Sequence, residues 1–312
     1  MQAGRFYGDE KNIDATAVKK FFANRTQKNV KYRLNVTNLQ DSNPEVAVLR
    51  NQQEVDKIVP LLNFKPDSCI LDIGCGVGRW ADNSLGYLGE AGKYVGTDFC
   101  ENVLDLAREK FKQDSRCEFY VSDIQGILNN IPKSLCTNKF DIIIICGVLM
   151  YVNDGEVEAC LNNVAQLLSE DGQIFIREPI ALEERLTLDK FYSQECKDEY
   201  SAIYRTKSFY GDKFKAAFLD NGIKCKSEDF LYASNKSVGK AYCEHYGKEY
   251  QEGFTINGFA DEPKGEIHAV FNEEIKCWGP HEDTHVISMQ GECSEYGAIF
   301  EGLAMINMGN NA

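Results

Sequence analysis

Apolar positions along the chain fall into two rhythms. Short runs that are apolar at most positions, at 69–73, 94–96, 118–121, 140–145 and 173–177, end in polar or glycine residues and predict five strands. Between them lie stretches with helical spacing: 79–86, 101–112, a short weak piece at 125–130, and 156–169 with Leu161, Val164, Leu167 and Leu168 on one face. Strands alternating with helices predict an α/β fold, a doubly wound and mostly parallel sheet covered on both sides. The run 140–145 suits its central strand.

The flanks are less regular. Before the sheet, helices are predicted at 15–27 and 54–62, each led by an acidic residue, and residues 1–55 read as a helical cap on a core spanning 56–232. After position 177 a polar stretch, 182–206, leads to a helix closed by Gly222 and then to a strand-like segment. The extension 233–312 is richer in glycine and aromatics, with strand-like pieces at 267–271, 284–289 and 298–306. Two readings stay open for it: completion of the sheet and substrate site, or a small β-rich appendage.

Composition narrows the partners. The 312 residues are 43% apolar, enough for a substantial core, and the formal net charge of −14 argues against a nucleic-acid partner. The N-terminus has no apolar signal core, and the longest apolar run, 142–152, is too short for a bilayer. A soluble, cytoplasmic protein is expected, with no membrane partner. Its twelve cysteines are scattered singly with no CxxC pair, which reads as reduced thiols rather than disulfides, a zinc ribbon or an iron–sulfur cluster.

The first strand runs straight into a glycine turn, CILDIGCGVGRWAD at 69–82. Such a turn lets backbone N–H groups approach a ligand that any Cβ would exclude. A dinucleotide fingerprint places glycines at its first, third and sixth positions. Here Gly74, Gly76 and Gly78 fill the first, third and fifth, and Arg79 stands at the sixth, which disfavours a pyrophosphate site. Asp98, at the end of the next strand, can accept hydrogen bonds from both hydroxyls of a ribose. Asp123 and Ile124 end the third strand at the same edge of the sheet.

Taken in order, DIGCGVGRW, GTDFCENVL, SDI, FDIIIICGVLMYV and LSEDGQIFIREP resemble the motifs of class I S-adenosylmethionine-dependent methyltransferases of the small-molecule type, over roughly 56–232. The resemblance implies a seven-stranded sheet with an antiparallel last strand, and S-adenosylmethionine as cofactor. It implies that Asp72 and the turn Gly74, Cys75, Gly76 and Gly78 lie against the methionine half. Asp98 and Phe99 would meet the ribose, Asp123 and Ile124 the adenine, with Cys146 and Gly147 closing the site. The segment AVKKFFANRTQK is similar to an N-terminal helix folded over the cofactor, which makes Arg25 a candidate for its carboxylate.

The methyl acceptor is less defined. Ligands of open α/β sheets sit beyond the carboxyl ends of the strands, which points to Tyr151, Arg177 and Glu178, and to Tyr204 and Arg205 in the insert YSAIYRTKSFY. Arg177 and Glu178 could equally pair with each other or with neighbours. Glu178 and His245 are the weak candidates for a general base. The expected reaction is methyl transfer to O or N of a small polar metabolite, with a sugar, nucleotide-sugar or glycan-linked group first. RNA or a protein N-terminus as acceptor, and a non-catalytic cofactor-binding or scaffolding protein, are the alternatives. The five residues HEDTH at 281–285 match a zinc-hydrolase motif, but Thr284, Val286 and Ile287 favour a strand there, so no metal site is expected.

Overall fold

The computed structural model describes residues 4–226, except 9, 29–31, 40, 42–43, 182–183, 194–195, 219, 221–222 and 224, together with 264–271. In chain order the elements begin with β1 (Arg5–Tyr7), α1 (Ala15–Thr26), α2 (Asn35–Asn38), α3 (Pro44–Ile58), β2 (Cys69–Ile73), α4 (Arg79–Ser84), β3 (Lys93–Asp98) and α5 (Glu101–Phe111). They continue with β4 (Cys117–Val121), α6 (Ile127–Asn130), α7 (Lys133–Asn138), β5 (Phe140–Cys146), α8 (Asp154–Leu167) and β6 (Leu168–Ala181). The last are β7 (Leu186–Ser193), β8 (Asp198–Thr206), α9 (Lys207–Ala217), β9 (Cys225–Lys226) and β10 (Lys264–Phe271).

All five predicted strands are present, as β2 to β6. Strands β4-β3-β2-β5-β6 are parallel neighbours, β10 runs antiparallel to β6, and β9 antiparallel to β10. These seven strands form the expected doubly wound sheet with its antiparallel strand. β10 lies beyond position 232, so the sheet draws on residues outside the 56–232 span. The expected division at 55/56 falls inside α3, which is one continuous helix.

The unbroken apolar run of β5 reflects burial on both faces. Ile143 and Ile145 pack against Val157, Leu161 and Val164 of α8, while Ile142 and Ile144 pack against Ile58, Trp80 and Ala81 of α3 and α4. A strand at the centre of such a sheet has no polar side to show.

The polar stretch 182–206 departs from expectation. It forms an antiparallel hairpin, β7 with β8, and carries β1 on its outer edge, so the sheet reaches ten strands. In β8 every residue from Tyr200 to Arg205 is buried, which erases the alternation that marks a half-exposed strand. In β7 the register breaks between Leu188 and Phe191, beside Lys190 at φ +52°, which interrupts the period of two. The hairpin packs on α1 through Phe21, Phe22, Leu188, Phe191 and Ala202, closing the carboxyl end of the sheet.

Helix α1 starts at Asp14, whose carboxylate accepts from Thr16 N at 2.9 Å and Ala17 N at 3.4 Å. The helix expected to be led by Glu54 instead begins at Pro44 and carries Glu54 in its interior. Among the described residues no helix is long and apolar enough to cross a membrane. His245 and the HEDTH motif lie outside the described residues, as do the strand-like pieces at 284–289 and 298–306.

Candidate active site

A cavity of about 200 Å³ opens at the carboxyl ends of β2, β3, β5 and β6. One wall is the glycine turn. Gly74, Gly76 and Gly78 all have positive φ, at +70°, +56° and +79°. A Cβ on Gly74 would lie 2.3 Å from Val148 Cγ2, and one on Gly76 would lie 2.8 Å from Thr37 Cγ2. Glycine is therefore required there twice over, by backbone conformation and by close approach. Gly78 faces away from the cavity, where a Cβ would meet the ring of Phe111 at 2.5 Å.

Two buried carboxylates flank the turn. Asp98 accepts from Gly76 N at 3.1 Å and from Cys100 N at 2.8 Å, so it ties the turn to the end of β3. Burial still raises its pKa to about 6, against the pull of those two N–H groups. Asp72 accepts from the Tyr94 hydroxyl, and burial raises it to about 7. Both line the cavity, together with Gly74, Cys75, Gly76 and Phe99. Asp123, exposed, accepts from Gly126 N at 2.6 Å and joins the buried Ile124 at the next strand end on the cavity wall.

Arg79, where a dinucleotide site wants a small residue, pairs with Glu54 of α3 at 3.1 Å. Glu54 is 6% exposed and also faces Arg177 at 3.5 Å and the Cys146 thiol at 3.7 Å. Glu54 is the organising anion of this corner. The sequence concealed it, because its partners lie between 25 and more than 120 positions away.

The opposite wall is aromatic. Phe22, Tyr151, Tyr200 and Tyr204 line it, and their rings meet edge to face: Phe22 with Tyr151 at 5.1 Å between centroids, Tyr151 with Tyr200 at 6.1 Å. The three hydroxyls form a chain, Tyr151 to Tyr200 at 3.1 Å and Tyr200 to Tyr204 at 3.4 Å. Burial pushes the pKa values of Tyr151 and Tyr200 upward, so both are phenols at neutral pH.

Besides Gly78, three charged residues expected as ligands occupy other positions. Arg25 is fully buried away from the cavity wall, with its guanidinium on Asp41 and on the carbonyls of Asn35 and Val36. Arg205 donates to Leu149 O, Val152 O and the Asp154 carboxylate, the last at 2.7 Å. Glu178 accepts from Val148 N at 2.8 Å, Leu149 N at 2.9 Å and Met150 N at 3.3 Å. Glu178 and Arg205 thus hold loop 147–152 from its N–H side and its carbonyl side. That loop puts Gly147, Val148, Met150, Tyr151 and Val152 on the cavity wall. Glu178 does not pair with its neighbour Arg177, because adjacent strand residues leave opposite faces. His268 stands opposite Arg177 in the β10–β6 register.

A sequence profile of the methyltransferase domain family matches residues 70–172, from β2 into β6. Residues 70–172 thus carry a methyltransferase domain of the S-adenosylmethionine-dependent type. The chain is 28% identical over 137 residues to a demethylmenaquinone methyltransferase of Bacillus licheniformis, which covers 44% of this chain and 56% of that protein. It is 29% identical over 130 residues to phosphoethanolamine N-methyltransferase 1 of Triticum aestivum, covering 41% of this chain and 24% of that one. In both cases the match spans less than two thirds of the relative. A Leishmania major S-adenosylmethionine-dependent methyltransferase shares the fold with a TM-score of 0.51 at 16% identity, over 71% of this chain and 78% of that chain. S-adenosylmethionine is the cofactor of such domains, and the cradle here fits it: a backbone turn that excludes any Cβ, with a carboxylate at each successive strand end.

Proposed function

We propose that this methyltransferase transfers a methyl group from S-adenosylmethionine to an oxygen or nitrogen of a small polar metabolite. The observation that carries the reading is the single continuous cavity joining the glycine turn and Asp98 to a tyrosine wall. In this reading Asp72 and the turn at Gly74 to Gly76 hold the methionine half, Asp98 with Phe99 the ribose, and Asp123 with Ile124 the adenine. When bound, the cofactor supplies an electrophilic methyl on a sulfonium. The chain's own task is then to align the acceptor in line and exclude water. Tyr151, Tyr200 and Tyr204 orient the acceptor through their hydroxyls. Glu178 does not serve as the base, since its carboxylate is committed to three backbone N–H groups.

Two acceptor classes follow from the aromatic wall. A sugar or sugar-linked group would use the ring faces as platforms and the hydroxyl chain as partners. An amine is the second reading, because clustered aromatic rings attract cations and the phosphoethanolamine N-methyltransferases are among the relatives. The charge of −14 speaks against RNA.

Titration calorimetry with S-adenosylmethionine, followed by a screen of metabolite extracts for a mass gain of one methyl group, tests the proposal. A product lost in Tyr151→Ala supports it and names the acceptor class. Absence of cofactor binding would reject it, while binding with turnover only on RNA or a protein terminus would replace it. Binding with no turnover on either kind of acceptor would favour a scaffolding role.

A further inference from the structure

Arg25 on α1 is 0% exposed, and four of its five N–H donors are engaged. Nε donates to Val36 O at 2.8 Å and Nη2 to Asn35 O at 2.5 Å, while Nη1 and Nη2 hold the Asp41 carboxylate at 3.0 and 2.6 Å. Both carbonyls belong to α2, and Asp41 follows it just beyond Leu39, which turns the chain at φ +56°. One side chain therefore grips α2 within its first turn and again past its end. Helix α2 is four residues long and has no side-chain cap, so it needs tertiary contacts to persist.

What α2 covers gives this grip a functional meaning. Thr37, Asn38 and Leu39 line the cavity, and Thr37 lies directly over Gly76, where a Cβ would come within 2.8 Å. The same α1 contributes Phe22 to the aromatic wall. Arg25 thus ties the roof over the glycine turn to the helix behind the acceptor side.

We propose that Arg25 is a positioning residue for the cofactor: with Asp41 it latches α2 over the glycine turn and sets how fast the cofactor leaves, without touching it. This rests on reading the cavity as the S-adenosylmethionine site. A rigid guanidinium fork suits the task, since it meets two carbonyls and a carboxylate at once, which a single ammonium cannot.

The test is stopped-flow and calorimetric binding of S-adenosylhomocysteine to the full chain. Arg25→Ala and Asp41→Asn are each expected to speed dissociation by about tenfold, with association changed less than about twofold and an unchanged number of sites per chain. Asp41 is 22% exposed, so its variant disturbs packing least. Arg25→Lys should fall between wild type and Arg25→Ala. 5′-Methylthioadenosine, which lacks the amino-acid portion, should lose the same factor, because a latch does not read the carboxylate.

An unchanged dissociation rate in Asp41→Asn overturns the latch. So does a loss confined to S-adenosylhomocysteine, which would mean that Arg25 meets the carboxylate itself. A merely structural defect would lower the number of competent sites and leave the dissociation rate alone, again overturning it. Failure of the wild-type chain to bind either compound rejects the cofactor reading and the latch with it.

Discussion

The glycine-turn end of the cavity takes its floor from the segment between Asp72 and Asp98, one strand end, one turn and the strand beside it, beneath the roof of α2. The tyrosine end gathers Phe22 from α1, Tyr151 from the loop after β5, and Tyr200 and Tyr204 from a hairpin. At the first end the floor is tied within 25 residues of itself, by the Asp98 carboxylate taking the N–H groups of Gly76 and Cys100. At the second, loop 147–152 is held by Glu178 and Arg205, the latter more than 50 residues further along the chain. In the proposed reading the locally built end takes the cofactor, and the end built from distant segments takes the acceptor.

Four substitutions probe that contrast, in order of expected size. Arg205→Ala leaves Asp154 and two loop carbonyls without their buried partner and should cost about 3–5 kcal/mol of stability in thermal or urea unfolding. Affinity for S-adenosylhomocysteine, measured where the variant is folded, should stay within a few-fold of wild type. A large loss of cofactor binding would show that the two ends are not independent. Asp98→Ala should weaken S-adenosylhomocysteine binding by about a hundredfold, since it removes the buried acceptor at the turn. Wild-type affinity in calorimetry would remove Asp98 from the ribose site.

Glu178 tests the acceptor end through pH. Burial raises its pKa from 4.5 to about 7, so between those values the folded chain keeps a proton that the unfolded chain releases. The associated stability is fully present below about pH 4.5 and is lost as pH rises through about 7. Wild-type stability should therefore decline more steeply from pH 5 to 8 than that of Glu178→Gln, by on the order of 3 kcal/mol across the window. Parallel unfolding curves for the two proteins would contradict this. Tyr204→Phe, at the end of the hydroxyl chain, should change stability by less than about 1 kcal/mol and leave cofactor affinity untouched. Its effect should appear only in acceptor KM.

The same contrast decides what the sequence disclosed. Strands β2, β3, β5 and β6 were legible because burial on both faces makes runs such as 140–145 apolar at almost every position, and the half-exposed edge strand β4 through its aromatic and valine residues. The turn was legible because three positive-φ positions within five residues call for glycine. The hairpin was not: full burial removed the alternation from β8, and an irregular register broke it in β7. Arg25, Arg205 and Glu178 were expected to meet cofactor or substrate, but none of them lines the cavity. Their partners, Asp41, Asp154 and the N–H groups of 148–150, depend on how loops return to the core, and spacing along the chain carries no record of that. Glu54 escaped notice for the same reason, although it holds two cavity-lining arginines.

The pairing of β10 with β6 bears on how the chain is made and cut. β6 carries Arg177 and Glu178, yet its edge from Ile174 to Ala181 is closed by residues 264–271, more than 80 positions later. Until those residues leave the ribosome, a central strand offers a free row of N–H and C=O groups, a template for pairing with another chain. A fragment ending near 232 would carry that open edge permanently. It should be prone to aggregate even though it contains the whole matched domain, which makes the late strand a stopper for self-association as well as a structural member.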